Sequence, residues 1–257
     1  MKYLTAVFLI AIAPAAAHGQ ITRARFLMGT ACEITANDAG EIDAAFDEAK
    51  RVESMLSTWR DDSELSRVNR GEIQPSPELA ALLQRVDQLS CDTGGAFNAH
   101  IRALLEKWKI REQGARPARA REIEEGGFGK GYALDRMLAK LHGDAVINFG
   151  GQVIDRGCKK VAIAHPLHRD VAAKELTICN QSLSTSSTSE KPGHIVDPRS
   201  REALPARGSV SVIDDSALVA DVLSTALYVM GPQEGSRWAR QHGVRAIYIY
   251  ETGEILE

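Results

Sequence analysis

The sequence predicts an α+β fold, and two observations carry that prediction. Amphipathic helical stretches and short strand-like runs follow one another without the regular strand–helix–strand rhythm of a parallel sheet. The stretch Ser216 to Met230 is apolar nearly all round, which marks a helix buried in a mixed core. At 257 residues the chain can bury a sizeable core, as one large domain or two closely packed lobes.

The elements follow in order. Met1-Lys2, the apolar run Tyr3 to Ala13 and the Ala15-Ala16-Ala17 site read as a secretory signal over residues 1–19. The run is too short to span a bilayer, and no cysteine follows it to take a lipid anchor. Residues 20–257 are expected to be a single exported domain, periplasmic in a Gram-negative host. Arg25 to Thr35 reads as an opening strand interrupted at Gly29. Asp43 to Leu56 has helical spacing through Ala44, Phe46, Val52 and Met55, starting near Ile42 or Asp43. A polar loop then carries Trp59, read as a packing anchor, and Ser63 can cap a short helix. Ser76 caps a helix to Ser90 with Pro77 at its first position. Asp92 to Asn98 is a tight turn before a helical stretch, Ile101 to Trp108, and Arg111 to Arg121 reads as an exposed connection.

The next stretch crowds Gly126, Gly127, Gly129 and Gly131 around Lys130 and runs straight into a helical pattern. Unpaired N–H groups at a helix start, with a lysine beside them, suit a phosphate. The spacing fits neither a Walker loop nor G-x-G-x-x-G. Ala145 to Ile154 reads as strand, glycine turn, strand; Lys160 to His165 and Glu175 to Cys179 as further strands. Ser182 to Ser189 is a hydroxyl run too polar for a core. His194 to Arg199 is a compact polar turn, Ser209 to Ile213 a strand, and Gly231-Pro232 closes the buried helix. A helix from Gly235 to His242 and a strand from Ala246 to Tyr250 complete the chain.

Charge and cysteine usage exclude some classes. The net charge is −3 and no basic face appears, so nucleic acid is not an expected partner. Cys32, Cys91, Cys158 and Cys179 lack C-x-x-C spacing, which disfavours zinc and redox motifs. An exported chain permits a disulfide of unspecified connectivity; Cys32 and Cys179 could equally be small buried residues.

Within the buried helix, Asp221 needs a partner or a metal, and Thr225 lies one turn further on the same face. Carboxylate and hydroxyl oxygens are hard ligands, apt for magnesium; the alternative is an arginine partner for Asp221 and a backbone bond for Thr225. His194 with Asp197 forms either an acid–base pair or a hydrogen-bonded turn. Phosphate loop, hard-metal helix and histidine together suit phosphoryl transfer on a nucleotide.

Met28-Gly29-Thr30, Ser57-Thr58-Trp59 with Asp62 to Ser66, Gly95-Ala96-Phe97, Gly126 to Asp135, Asn148-Phe149-Gly150-Gly151, His194 to Arg199 and Ala220 to Ala226 occur in this order. Together they resemble the FAD:protein FMN transferases, the ApbE-like flavin transferase family, from Met28 to about Gly231. The resemblance implies a T-fold-related α+β fold of two intimately packed lobes with FAD in the cleft between them. It implies transfer of FMN from FAD to a Thr or Ser hydroxyl of an exported or membrane-attached redox protein, with AMP released. It also implies Mg2+ held by Asp221, Thr225 and the Gly127 carbonyl, which would make position 127 indifferent to its side chain. Met28, Trp59, Ala96, Phe97, Asn98, Glu124, Lys130 and Ile195 fall at FAD-contact positions, and His194 is assigned to the attacking hydroxyl. The sequence departs from the pattern at Asn98, Glu124, Gly129 and Gln152, and Ser187-Thr188-Ser189 replaces a usual Gly-Asp-Tyr. FAD hydrolysis to FMN and AMP, or flavin binding without chemistry, are the competing readings.

Overall fold

A computed structural model describes residues 19–108, 119, 121–188 and 193–257. The signal segment through residue 18 and most of the Arg111–Arg121 connection lie outside the described residues, as do Ser189 to Pro192.

The opening stretch is a hairpin. Strands β1 (Ile21–Leu27) and β2 (Thr30–Ala36) pair antiparallel, and the interruption at Gly29 is their turn. Helix α1 (Ala39–Leu56) starts earlier than its apolar spacing suggests, because the Asp38 carboxylate accepts from the Glu41 N–H and caps it. Ser63 caps α2 (Glu64–Arg70) and Ser76 caps α3 (Pro77–Asp92), both as the sequence indicates. Then come α4 (Arg102–Lys107), a single 3₁₀ turn at Glu125–Gly127, and α5 (Gly129–Leu138). Strands β3 (Ala145–Phe149) and β4 (Gln152–Arg156) turn at Gly150-Gly151, both at positive φ, where a Cβ on Gly150 would lie 2.7 Å from Thr30. The hairpin β5 (Cys158–Ala164) and β6 (Ala172–Cys179) follows, then β7 (Ser182–Ser187). The short pair β8 (Val196–Asp197) and β9 (Glu202–Ala203) precedes β10 (Ser209–Asp214). Helix α6 (Ala217–Gln241) breaks at Gly231, whose φ of 78° is non-helical; β11 (Arg245–Ile249) and β12 (Ile255–Leu256) close the fold.

One antiparallel sheet, ordered β1-β2-β3-β4-β7-β10-β11-β12, organises the molecule. Its two faces bury different bodies. Helices α1, α5 and α6 cover one face over a large core that includes Phe46, Phe128, Phe149 and Tyr228. The β5–β6 hairpin covers the other, packing Val161, Ile163 and Ile178 against Val146, Val153, Leu183, Ile213 and Ile247. A disulfide joins Cys158 to Cys179, directly opposite one another in the hairpin, so Cys179 is not a lone buried residue; Cys32 is buried and free.

The hydroxyl run corrects a sequence expectation. Ser182 to Ser187 is an inner strand of the sheet, not a segment outside the core. Ser182 and Ser184 are buried, and the hydroxyls along the strand have partners on neighbouring elements. Ser182 Oγ donates to the Val153 carbonyl at 2.8 Å, Thr185 pairs with Ser211 at 2.7 Å, and Ser186 pairs with Ser224 at 2.9 Å.

Candidate active site

Three local devices build the site. At the first, Asp135 of α5 caps α6: its carboxylate accepts from the Ala217 N–H at 2.7 Å, the Leu218 N–H at 3.1 Å and the Ser216 hydroxyl at 2.8 Å. That clamp fixes α5, and with it Lys130, against the first turns of α6. The two helices come so close at Gly131 that a Cβ there would lie 2.4 Å from the Ala217 carbonyl oxygen and 2.8 Å from Asp221 Cβ. The Gly131 N–H then donates to Asp221 Oδ2 at 3.0 Å. One N–H expected to face a phosphate is therefore spent on a carboxylate instead.

At the second, Thr58 ties the Trp59 loop to the glycine loop. Its N–H and hydroxyl donate to Glu125 at 3.1 and 2.5 Å, and the hydroxyl lies 3.1 Å from Glu124 Oε1. Trp59 itself is 69% exposed, so it is no packing anchor. At the third, Ser90 donates to the Phe97 carbonyl at 2.8 Å and Asn98 Oδ1 accepts from the His100 N–H at 2.8 Å, which shapes the Ala96–Asn98 turn. The Phe97 ring lies against the glycine loop, and a Cβ on Gly127 would sit 2.9 Å from it. Position 127 is thus not indifferent to its side chain here.

These devices converge on a cleft of about 440 Å³, within the usual range for small-molecule sites. Trp59, Ala96, Phe97, Asn98, Glu124, Gly127, Lys130, His194, Ile195, Asp221 and Thr225 all line it. Met28 lines an adjoining cleft of about 360 Å³ that shares Trp59, Glu124, Gly126 and Lys130 with the first. Every residue assigned to the FAD or metal site, together with His194, therefore lines one of these two adjoining clefts, whereas Asp197 lines neither.

Asp221 is buried, and that burial pushes its carboxyl above the usual range, opposed by the Lys130 charge, the Gly131 N–H and Ser184. Among the described residues no arginine takes the role that the sequence left open. Thr225 Oγ1 does bond its own helix, at the Asp221 carbonyl 3.3 Å away, and also lies 3.4 Å from Ser186 Oγ and 3.6 Å from the Cβ position of Gly127. Among the described residues no three of His, Cys, Asp and Glu gather as metal ligands. The oxygens here, one carboxylate with hydroxyls beside it, are a hard set of the kind that suits Mg2+. Asp197 is held by Arg199, whose N–H donates to Oδ1 at 2.8 Å and whose guanidinium lies at 3.2 Å. Asp197 is thus engaged by Arg199.

The family model for the ApbE family matches this chain over residues 28–125 and 114–248. The chain belongs to the ApbE family. An FAD:protein FMN transferase of Rhodobacter capsulatus is 31% identical over 221 residues, 66% of this chain, which spans only 42% of that relative's length. Another protein of that name, from Klebsiella pneumoniae, is 27% identical over 87% of this chain and 86% of its own. Among solved structures, the Pseudomonas stutzeri flavinyl transferase ApbE matches with a TM-score of 0.76 at 23% identity, covering 90% of this chain and 91% of its own. The ApbE protein of Thermotoga maritima matches at 0.81 and 20%, covering 93% and 96%. At such identities the structures establish the fold, which is the α+β architecture expected from the sequence.

In this ApbE-family chain the cleft also has walls that sequence reasoning missed. His165 and Arg169 enter it from the β5–β6 connection, and Ser184 to Ser187 form part of the lining. Burial pulls the Arg169 guanidinium down to about 10. A hydroxyl-rich strand gives no periodic apolar signal, and a basic residue in a hairpin loop looks like any surface residue. Gln152, noted only as a departure, is buried in the same wall.

Proposed function

We propose that the protein transfers FMN from FAD to a Thr or Ser hydroxyl of an acceptor protein, with Mg2+ bound and AMP released. The observation that carries this is the convergence of Lys130, Gly127, Asp221, Thr225 and His194 on one cleft with exposed Trp59 at its wall. The relatives named FAD:protein FMN transferase, matched along most of this chain, support the same substrate.

In this reading the acceptor oxygen attacks the FMN-side phosphorus, the bond from that phosphorus to the bridging oxygen breaks, and AMP leaves with the bridging oxygen. His194 takes the hydroxyl proton. Lys130 places a positive charge where the pyrophosphate gains negative charge, and Trp59 offers a flat apolar face to a ring. Asp221, Thr225 and the Gly127 carbonyl would hold Mg2+, which when bound neutralises phosphate charge. The buried Asp221 suits this, since a desolvated carboxylate gains most from a cation.

Export belongs to the same reading. Residues 1–19 would direct the chain out of the cytoplasm, to the periplasm of a Gram-negative host, and the Cys158–Cys179 disulfide is at home in an oxidising compartment. Acceptors are then exported or membrane-attached redox proteins.

The test incubates residues 20–257 with FAD, Mg2+ and a threonine-bearing acceptor and records the acceptor's mass. A gain equal to bound FMN, with AMP formed and both lost in His194→Ala, is the expected result. AMP and free FMN beside an unmodified acceptor would replace transfer by hydrolysis. FAD bound but intact would leave a flavin-binding protein.

A further inference from the structure

We infer that Gln152 is a substrate-binding residue whose side-chain oxygen Oε1 accepts a hydrogen bond from an N–H or O–H group of FAD. The inference rests on the reading that FAD occupies the cleft. Gln152 opens β4 immediately after the Gly150-Gly151 turn, is 2% exposed, and lines the larger cleft beside Lys130, Ser184 and Asp221.

Its amide is held one way round. Nε2 donates to the Ala217 carbonyl at 2.8 Å and lies 3.4 Å from Ser182 Oγ. A flipped amide would set two carbonyl oxygens against each other, so the orientation follows from the fold. With Nε2 committed to α6, Oε1 is left buried and, among the described residues, without a hydrogen-bond partner. A buried amide oxygen without a partner is costly, and most such atoms in folded proteins are satisfied. Gln152 lies in the wall of the cleft, so the missing donor is assigned to the ligand that fills it.

The chemistry at this position is also specific. A pyrophosphate has only acceptor oxygens, so a neutral acceptor at Gln152 does nothing for it and instead recognises the donor groups of a nucleotide. Those are ring N–H and amino groups, and the hydroxyls of ribityl and ribose chains. An ionised carboxylate in place of the amide would face the Ala217 carbonyl oxygen and stand near Asp221, adding charge where two phosphates must enter. Glutamine supplies the acceptor without that charge.

The test titrates FAD into the mature chain without added Mg2+, following flavin fluorescence, in the wild type and in Gln152→Met. Methionine keeps the length and removes both polar atoms. FAD affinity is expected to fall about tenfold, with the Mg2+ concentration for half-maximal turnover unchanged. Unaltered FAD affinity in the variant overturns the inference, because the oxygen then serves only the fold or a water. A change confined to the Mg2+ requirement overturns it as well, placing Gln152 in the cation's surroundings. If the wild type itself binds no FAD, the reading beneath the inference has failed, a result distinct from either. Should Gln152→Met fold poorly by thermal melting, Gln152→Asn is read by the same titration. It keeps the amide but moves the oxygen away from its wild-type position, and weaker FAD binding is expected there too.

Discussion

Asp221 and Asp155 are both buried carboxylates, and their surroundings give them different roles. Asp221 faces the cleft with the Gly131 N–H, Ser184 and the Lys130 charge around it. Asp155 lies in β4 with the Gln181 N–H on Oδ1 at 3.2 Å and, among the described residues, no partner on Oδ2. Burial pushes its carboxyl up to about 6, against the lowering effect of the Gln181 N–H. Between about pH 4 and 6 the native state therefore holds a proton that the unfolded chain has already released. The stability contribution of Asp155 is full below about pH 4, where both states are protonated, and is lost as pH rises through about 6. Asp155→Asn is accordingly expected to stabilise the protein by about 1–3 kcal/mol at pH 8 and by nothing at pH 4. Urea unfolding at the two pH values checks this; an equal gain at both would mean that ionisation is not the cause. Only one of these two aspartates was legible in the sequence. Asp221 stands out because its helix is otherwise apolar, whereas Asp155, next to Arg156, looks like the polar end of a strand.

At the level of elements, caps and turns were readable because each is set by adjacent residues. Ser63, Ser76 with Pro77, and Gly150-Gly151 act locally, and the structure has each as expected. Strand β7 was not readable, because what makes it a strand is distant: Val153, Ser211 and Ser224 satisfy its hydroxyls from three other elements. The cysteine pairing was hidden for the same reason, since it depends on the β5–β6 register that sets Cys158 opposite Cys179. That hairpin carries His165 and Arg169 into the cleft, so its anchoring bears on the site as well as the fold. A disulfide closing a loop of this length is worth about 3 kcal/mol through the unfolded state. The double variant Cys158→Ser, Cys179→Ser is expected to lose about 2–3 kcal/mol in denaturant unfolding. Its stability should then be indifferent to reductant, which should lower that of the wild type. If reductant leaves the wild type unmoved, the apolar contacts of Val161, Ile163 and Ile178 hold the hairpin without the bond.

Across the whole molecule, the cleft draws on parts that touch little of one another's cores. The Trp59 loop and the glycine loop belong to the helical side, while Ala162 to Pro166 come from the hairpin on the opposite face of the sheet. A ligand contacting both sides binds only the native arrangement, so FAD is expected to raise the melting temperature. At a hundred times its dissociation constant the gain is about 2.7 kcal/mol, roughly 5–10 °C for a chain of this size. Trp59 decides how that gain should be read. The sequence suggested a packing anchor, and the structure leaves the ring 69% exposed. Trp59→Ala should therefore melt within about 2 °C of the wild type without ligand, as exposed substitutions do. With FAD present, its shift should be much smaller than that of the wild type. Were the variant instead to lose its stability without ligand and keep its FAD shift, the ring would be holding the α1–α2 loop in place, and the flavin would have to find its platform elsewhere in the cleft.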